Sequence, residues 1–181
     1  LHGMYWSSSN DFTEAMYYRL AQAVSFSNSF IKNASELSGD EVSVFVAEAR
    51  FLRAYAYYNL LDLYGNVPLT TEISTELPTQ SNRTELFNFI ESELMEIESI
   101  LLASNEYGRV DNVAAHALLS RLYLNAEVWT GQDRYADCIT YSQNVLNSGY
   151  SLNINDANGN GTAYDELFMA DNDVNGAQNE F

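Results

Sequence analysis

Apolar residues recur at intervals of three and four along most of the chain before Tyr150, and this spacing constrains the fold more than any other feature. Such spacing is typical of helices with one apolar face. No segment shows the sustained alternation of apolar and polar residues that is typical of a strand. The sequence therefore predicts an all-α fold with five helices, at about 11–33, 40–64, 84–103, 111–129 and 133–148.

Local signals mark the ends of these helices. Asn10 is placed to cap the first helix with its side chain, and Gly65 followed by Pro68 ends the second helix. Residues 151–162 are rich in Asn and Gly, which indicates turns. The predicted organisation is one helical domain over 1–181, with helix pairs at about 11–64 and 84–129, a further helix at 133–148 and a loop-rich segment at 150–181.

The helical spacing also predicts which side chains face the core. In the first helix, the side chains expected to lie near one inward face are Phe12, Met16, Leu20, Ala23 and Phe30. In the third helix, four acidic side chains are expected mostly to cover the solvent-exposed face: Glu91, Glu93, Glu96 and Glu98.

The charge balance restricts the class of ligand. Eight Lys and Arg residues stand against 25 Asp and Glu residues, which gives a formal net charge of −17. Nucleic-acid binding depends on Lys and Arg that neutralise phosphates, and anionic lipid headgroups attract basic segments. A nucleic-acid partner is therefore excluded. Neutral ligands, cations and basic protein partners remain as candidates.

The chain carries few signals of its cellular compartment. Cys138 is the single cysteine, so no internal disulfide can form. No apolar run approaches the ~20 residues that a membrane-spanning helix needs. The chain opens at Leu1 with no signal-peptide pattern and stops at Phe181. We expect both ends to be cuts through a longer protein.

A short internal repeat links the second and fourth helices. The pattern is Ala-x-Ala-x-(Phe or Leu)-x-Arg-x-Tyr, and it occurs at 47–55 and again at 115–123. The two copies are 68 residues apart, and ~68 residues is twice the ~34-residue period of tetratricopeptide repeats. Two helix-turn-helix units packed side by side explain this spacing. Chance similarity between Ala-rich amphipathic helices is the alternative.

Four pieces of the sequence, in order along the chain, carry a resemblance to a known family. The first is VAEARFLRAYAYYNLLDLYGNVPLTT at 46–71, a Tyr-rich helix followed by Gly-x-Val-Pro-Leu. The second is Gly-Arg-Val at 108–110, which leads into AAHALLSRLYLNAEVWTG. The third is Tyr-Ala-Asp at 135–137 with VLNSGY at 145–150. The fourth is YDELF at 164–168, which precedes Asn179 and Glu180. Together they resemble the SusD/RagB family.

This resemblance implies a fold, a location and a function. Members of the SusD/RagB family are larger proteins whose helical region is similar to tetratricopeptide repeats, so the chain would be the central part of such a protein. The resemblance implies a lipoprotein on the extracellular face of the outer membrane, held by a lipid anchor outside this chain. It further implies non-catalytic capture of an oligosaccharide or polysaccharide, followed by delivery to a SusC-like TonB-dependent transporter.

Two other functions remain open from the sequence. A helical-repeat adaptor would bind a protein and no sugar. A helical glycoside hydrolase would need two suitably placed carboxylates, and nothing in the sequence singles out such a pair. His116 is expected to have a packing role within the fourth helix, and Cys138 is expected to be a small core residue. No catalytic residue is predicted.

The N-terminal run supplies candidate glycan-binding residues. Sugar recognition needs flat apolar rings together with a few amides or carboxylates that bind hydroxyl groups. Trp6, Tyr5 and Asn10 offer both kinds before the first helix begins. Trp6 is the favoured stacking residue, because a loop gives it no helix face on which to be buried. The alternative is that Trp6 packs on the core at the end of the first helix.

A cation site is also predicted near the end of the chain. Residues 171–176, Asp-Asn-Asp-Val-Asn-Gly, match the opening of the calcium-loop pattern, although the Glu that closes the pattern would fall beyond the last residue. Asp171 and Asp173 are the expected ligands, and some family members bind calcium beside the glycan site. A similar opening at 156–161 is a weaker candidate. No cofactor is expected to be required, and Ca²⁺ is the candidate metal.

Overall fold

The structure is a computed structural model that describes Gly3, Ser7 and residues 10–177. Its α-helices are α1 (Asp11–Ala34), α2 (Asp40–Tyr64), α3 (Arg83–Ile97), α4 (Asn112–Leu124), α5 (Ala126–Thr130) and α6 (Tyr135–Leu146). Two short strands, β1 (Val67–Pro68) and β2 (Gln80–Ser81), pair in antiparallel fashion within the loop after α2. A short 3₁₀ helix covers Tyr164–Phe168. The predicted all-α class is confirmed.

Side-chain caps fix the starts of three helices. The Asn10 Oδ1 atom accepts hydrogen bonds from the backbone N–H groups of Phe12 and Thr13 at the start of α1. Asn82 and Glu85 form a reciprocal capping box at the start of α3. The Asp111 carboxylate accepts from the backbone of Ala114 at the start of α4. Each cap satisfies backbone donors that a helix leaves unpaired at its N-terminus.

Most of the long helices pack against a helix that is close to them in the sequence. α1 packs against α2, α2 also packs against α3, and α4 packs mainly against α6.

The sequence predicts a single helix at 111–129, but the backbone of Asn125 (φ −103°, ψ 5°) separates α4 from α5. Helix α5 folds back toward α3 and places Trp129 against the Tyr58 ring. No helix within the described ranges is long and apolar enough to cross a membrane.

The inward face of α1 differs from the prediction. Leu20 and Ala23 pack against the core as predicted. Phe12, Met16 and Phe30 are exposed, whereas the buried residues of α1 include Ser27 and Asn28. The reason is a polar contact between α1 and α2. The Asn28 side chain donates to the Thr70 carbonyl and accepts a hydrogen bond from the Arg53 guanidinium. These contacts orient α1 by its polar residues and leave an apolar face toward solvent.

The placement of Glu93 was also predicted wrongly. Its side chain is only 9% exposed and does not lie on the solvent-exposed face of α3. It accepts hydrogen bonds from both Arg50 and Arg53 of α2, with Nη2–Oε distances of 2.7 and 2.5 Å. Two opposite charges stabilise the buried carboxylate, so this acidic residue ties α3 to α2.

The internal repeat holds for the small and apolar positions and fails for the polar ones. Ala47 and its counterpart Ala115 are both buried, as are Phe51 and its counterpart Leu119. The next two pairs of counterparts differ in environment: Arg53 is buried and Arg121 exposed, whereas Tyr55 is 45% exposed and Tyr123 is 1% exposed. The repeat therefore describes how the two helices pack closely against neighbours, but it does not describe equivalent surfaces.

Candidate functional site

The structure describes one of the three predicted glycan-binding residues. Tyr5 and Trp6 lie outside the described residues. Asn10 is partly exposed, and its Oδ1 atom is used in capping α1. Its side-chain NH₂ group is the part that can bind a ligand.

A larger surface lies elsewhere, between α2, α4 and the C-terminal segment. We call it the aromatic groove; its volume is about 1050 Å³. Four exposed rings line it, at 45%, 53%, 68% and 72% exposure respectively: Tyr55, Tyr107, Tyr164 and Phe168. The rings are held in pairs on the two walls. Tyr55 stacks on Phe51 within α2, and Tyr164 contacts Phe168 edge-on within the 3₁₀ helix.

The charged residues of the groove differ in how they are paired. Arg109 binds Glu48 at 2.7 Å and lies over the Phe45 ring. Arg121 lies over the Tyr58 ring, 5.5 Å from its centroid, and has no carboxylate within 4 Å in the described part of the chain. Among the described lining residues Glu106 is the only carboxylate. The guanidinium group of Arg121 can therefore donate hydrogen bonds to a ligand.

A second cavity of about 610 Å³ adjoins the first; we call it the polar cleft. It lies between the start of α4, the end of α6 and the loop at 103–105. Amide, hydroxyl and imidazole groups contribute most of its described lining: Ser104, Asn105, Asn112, His116, Asn144, Asn147, Ser148 and Tyr150. No Asp, Glu, Lys or Arg is among the described residues that line it. In a chain with a net charge of −17 this cleft is an uncharged polar surface.

Two residues line both cavities and join them. Asn105 donates from its amide to Glu48 and to the Val110 carbonyl, each at 2.9 Å. The Tyr150 hydroxyl donates to Asp111, a buried residue, at 2.7 Å. Partial burial and this hydrogen bond to a carboxylate raise the pKa of Tyr150 to about 12. The junction between groove and cleft is thus held by bonds to the start of α4 and the loop before it.

The raised pKa of Tyr150 gives a pH-dependent prediction. The pKa of an unfolded Tyr is ~10, which is lower than that of Tyr150 in the folded chain, so folding favours the neutral hydroxyl. The resulting stabilisation is fully present below pH ~10 and is lost as the pH rises from there through the folded pKa. We expect the free energy of unfolding of Tyr150→Phe to fall less steeply above pH ~10 than that of the wild type, because Phe does not titrate. Urea unfolding at pH 8, 10 and 11.5 measures both slopes. Parallel slopes would contradict the prediction.

The predicted cation ligands lie in an exposed turn. The Asp171 carbonyl accepts from the backbone N–H groups of Val174 and Asn175, and both Asp171 and Asp173 are exposed. Within residues 10–177, no three or more His, Cys, Asp or Glu side chains form a group that could hold a metal ion. The calcium site at Asp171 and Asp173 stays a prediction.

The side chains considered for catalysis have packing partners. The His116 Nε2 atom lies 3.6 Å from Glu98, and its ring contacts Tyr141. The Cys138 thiol lies 3.6 Å from the Ser120 hydroxyl. No hydrogen bond joins His116 to Cys138 among the described residues.

Sequence reasoning missed the groove and the cleft because their walls are far apart along the chain. Tyr55 and Tyr164 are more than 100 positions apart, and although each belongs to a motif, neither motif shows that the two rings share a surface. The signal that was available is the Tyr content, 13 residues of 181. Tyr is useful on binding surfaces because its ring is apolar and its hydroxyl forms hydrogen bonds.

Comparison with known proteins decides the family. A SusD-like family model, described as "Starch-binding associating with outer membrane", matches residues 4–124. The starch-binding protein SusD of Bacteroides thetaiotaomicron is 40% identical over 172 residues, which is 94% of this chain. The chain belongs to the SusD-like family. This confirms the resemblance to the SusD/RagB family.

Solved structures support the fold of this SusD-like chain. A laminarin-binding SusD-like protein is 26% identical with a TM-score of 0.73, and the match covers 89% of this chain and 35% of that one. A structure solved with a xylogluco-oligosaccharide has a TM-score of 0.81 and covers 95% of this chain and 35% of that one. At 24% identity the second match shows the fold alone.

The SusD-like chain is short relative to these proteins. It spans 30% of the length of the Bacteroides thetaiotaomicron SusD protein. The relatives are described as binding proteins, in agreement with the prediction that the chain is not an enzyme.

Proposed function

We propose that this chain takes part in non-catalytic capture of an oligosaccharide at the outer membrane. The observation that supports this most strongly is the 40% identity to a starch-binding SusD protein over 94% of the chain. We further propose that the protein is lipid-anchored on the extracellular face and passes its ligand to a SusC-like TonB-dependent transporter.

The lining of the two cavities favours binding over cleavage. A glycoside hydrolase needs two carboxylates on either side of the scissile bond, roughly 5–10 Å apart. The described lining of the groove offers Glu106 alone, and that of the cleft offers none. Exposed rings and amides remain, and these groups stack on sugar rings and bind hydroxyl groups.

The first test is a glycan array probed with the full chain, followed by titration calorimetry against the glycans that bind. Trp6→Ala is expected to weaken binding by about fivefold, because removing one stacked ring costs on the order of 1 kcal/mol. Trp6→Phe is the matched control, since it keeps a ring and should recover part of the affinity. Absence of binding to every glycan would rule out the capture function. An unchanged glycan affinity in the Trp6→Ala variant would show that the binding site does not depend on Trp6 and lies outside the N-terminal run.

A protein adaptor is the second candidate function, and the exposed apolar face of α1 favours it. Phe12, Phe26 and Phe30 are 72%, 67% and 47% exposed. Apolar surface of this kind often marks a protein contact. A stable transporter complex formed by a chain that binds no glycan would favour the adaptor.

A further inference from the structure

We propose that the aromatic groove and the polar cleft together form one extended site for a neutral oligosaccharide of several sugar units, separate from the predicted site at Trp6. This inference rests on the proposed carbohydrate-binding function.

The first support is continuity. Asn105 and Tyr150 each line both cavities, so the two cavities lie directly side by side. The volumes are about 1050 and 610 Å³. A drug-sized ligand fills a pocket of roughly 300–1,000 Å³, so the joined surface exceeds the needs of a single sugar. A chain of linked sugars matches its extended form.

The second support is the division of chemistry between the two parts. The groove presents ring faces at Tyr55, Tyr107, Tyr164 and Phe168, which suit the apolar faces of pyranose rings. The cleft presents amides, which suit hydroxyl groups. The side chains of Asn112 and Asn144 make no hydrogen bond to any other described residue, so both retain their donors and acceptors for a ligand.

The third support is charge. The chain carries 25 acidic residues, yet none of the described residues lining the cleft is acidic and one, Glu106, lines the groove. Burying an unpaired carboxylate under a neutral ligand would cost free energy. The scarcity of carboxylates in the described lining therefore suits a neutral polyhydroxylated ligand. Arg109 is paired with Glu48, and Arg121 is left to donate hydrogen bonds to hydroxyl groups of that ligand. A basic peptide would instead be attracted to the acidic surfaces outside these cavities.

Chemical labelling of tyrosines tests this site directly. Full-length wild-type chain is treated with tetranitromethane with and without saturating maltoheptaose, laminariheptaose or a xyloglucan heptasaccharide, and nitrated peptides are quantified by mass spectrometry. We expect at least one of these oligosaccharides to slow nitration of Tyr107 and Tyr164 by about fivefold or more. Tyr18 is the matched control, because it lies on α1 outside both cavities and is 62% exposed, against 68% for Tyr164. The same protection is expected in the Trp6→Ala variant.

Affinity measurements on variants complete the test. Phe168→Ala and Asn144→Ala are each expected to weaken binding to the extended site by about five- to tenfold. Phe26→Ala is the control, since Phe26 has nearly the same exposure as Phe168, 67% against 72%, and lies outside both cavities.

The outcomes separate the two proposals. Protection of Tyr107 and Tyr164 with weaker binding by both variants supports the extended site. Oligosaccharide binding without protection, or with unchanged affinity in both variants, overturns the extended site and leaves the capture function standing. Absence of binding by the wild type to all three oligosaccharides and to the glycan array overturns both.

Discussion

Glu93→Gln is expected to destabilise the protein by about 3–5 kcal/mol, because it removes the charge that compensates two arginines at the contact between α2 and α3. The Arg53 side chain is 6% exposed and donates to the Glu93 carboxylate through Nε and Nη2. Its remaining Nη1 group donates to Asn28 of α1. Loss of the carboxylate leaves a buried guanidinium with a neutral partner. Urea unfolding followed by circular dichroism at 222 nm measures the loss.

Glu96→Gln is the matched control for this substitution. Glu96 also binds Arg50, at 2.6 Å, but its side chain is 60% exposed. The hydrogen bond from Arg50 lowers the pKa of Glu96, which shows that the charges interact. Solvent screens such a pair, so the expected cost is only ~0–1 kcal/mol. Equal costs for the two substitutions would show that the burial of Glu93 has no energetic consequence.

The same contact shows why the sequence predicted the helices better than their orientation. Apolar spacing and capping residues are local, and they placed the start of each of the five predicted helices to within two residues. The third helix nevertheless ends at Ile97 and not near residue 103, and the fourth is divided at Asn125. The orientation of α1 depends instead on the Arg53–Asn28 hydrogen bond, which joins residues 25 positions apart. The position of Glu93 depends on arginines at a separation of 40 positions or more. A single sequence does not reveal which acidic residue meets which arginine.

The class of ligand was predictable from the sequence, but the position of the binding surface was not. The family resemblance indicated a glycan ligand. The groove brings Tyr55 of α2 near Tyr107 of a loop and Tyr164 of the C-terminal segment. This segment contains little regular structure, so helical spacing could not orient its rings. The predicted residues Tyr5 and Trp6 remain predictions.

Tyr123→Ala is expected to cost about 3–5 kcal/mol, as is typical of large buried aromatic residues. The Tyr123 ring is 1% exposed and contacts the rings of Phe87 and Tyr141. Its hydroxyl donates to Glu91 at 2.8 Å, and the Arg134 guanidinium lies 4.6 Å from the ring centroid. The substitution would open a cavity among α3, α4 and α6 and leave Glu91 without this donor.

Tyr55→Ala is the informative comparison, because Tyr55 occupies the same position as Tyr123 in the sequence repeat. Its ring is 45% exposed and stacks on Phe51 alone among the described rings. We expect a cost below ~1 kcal/mol, in the range of surface substitutions. Both variants are measured by urea unfolding under identical conditions. Similar losses would mean that the repeat extends to the environments of its tyrosines. A difference of several kcal/mol would show that the repeat preserves close helix packing, while one copy uses its Tyr in the core and the other presents it to the aromatic groove.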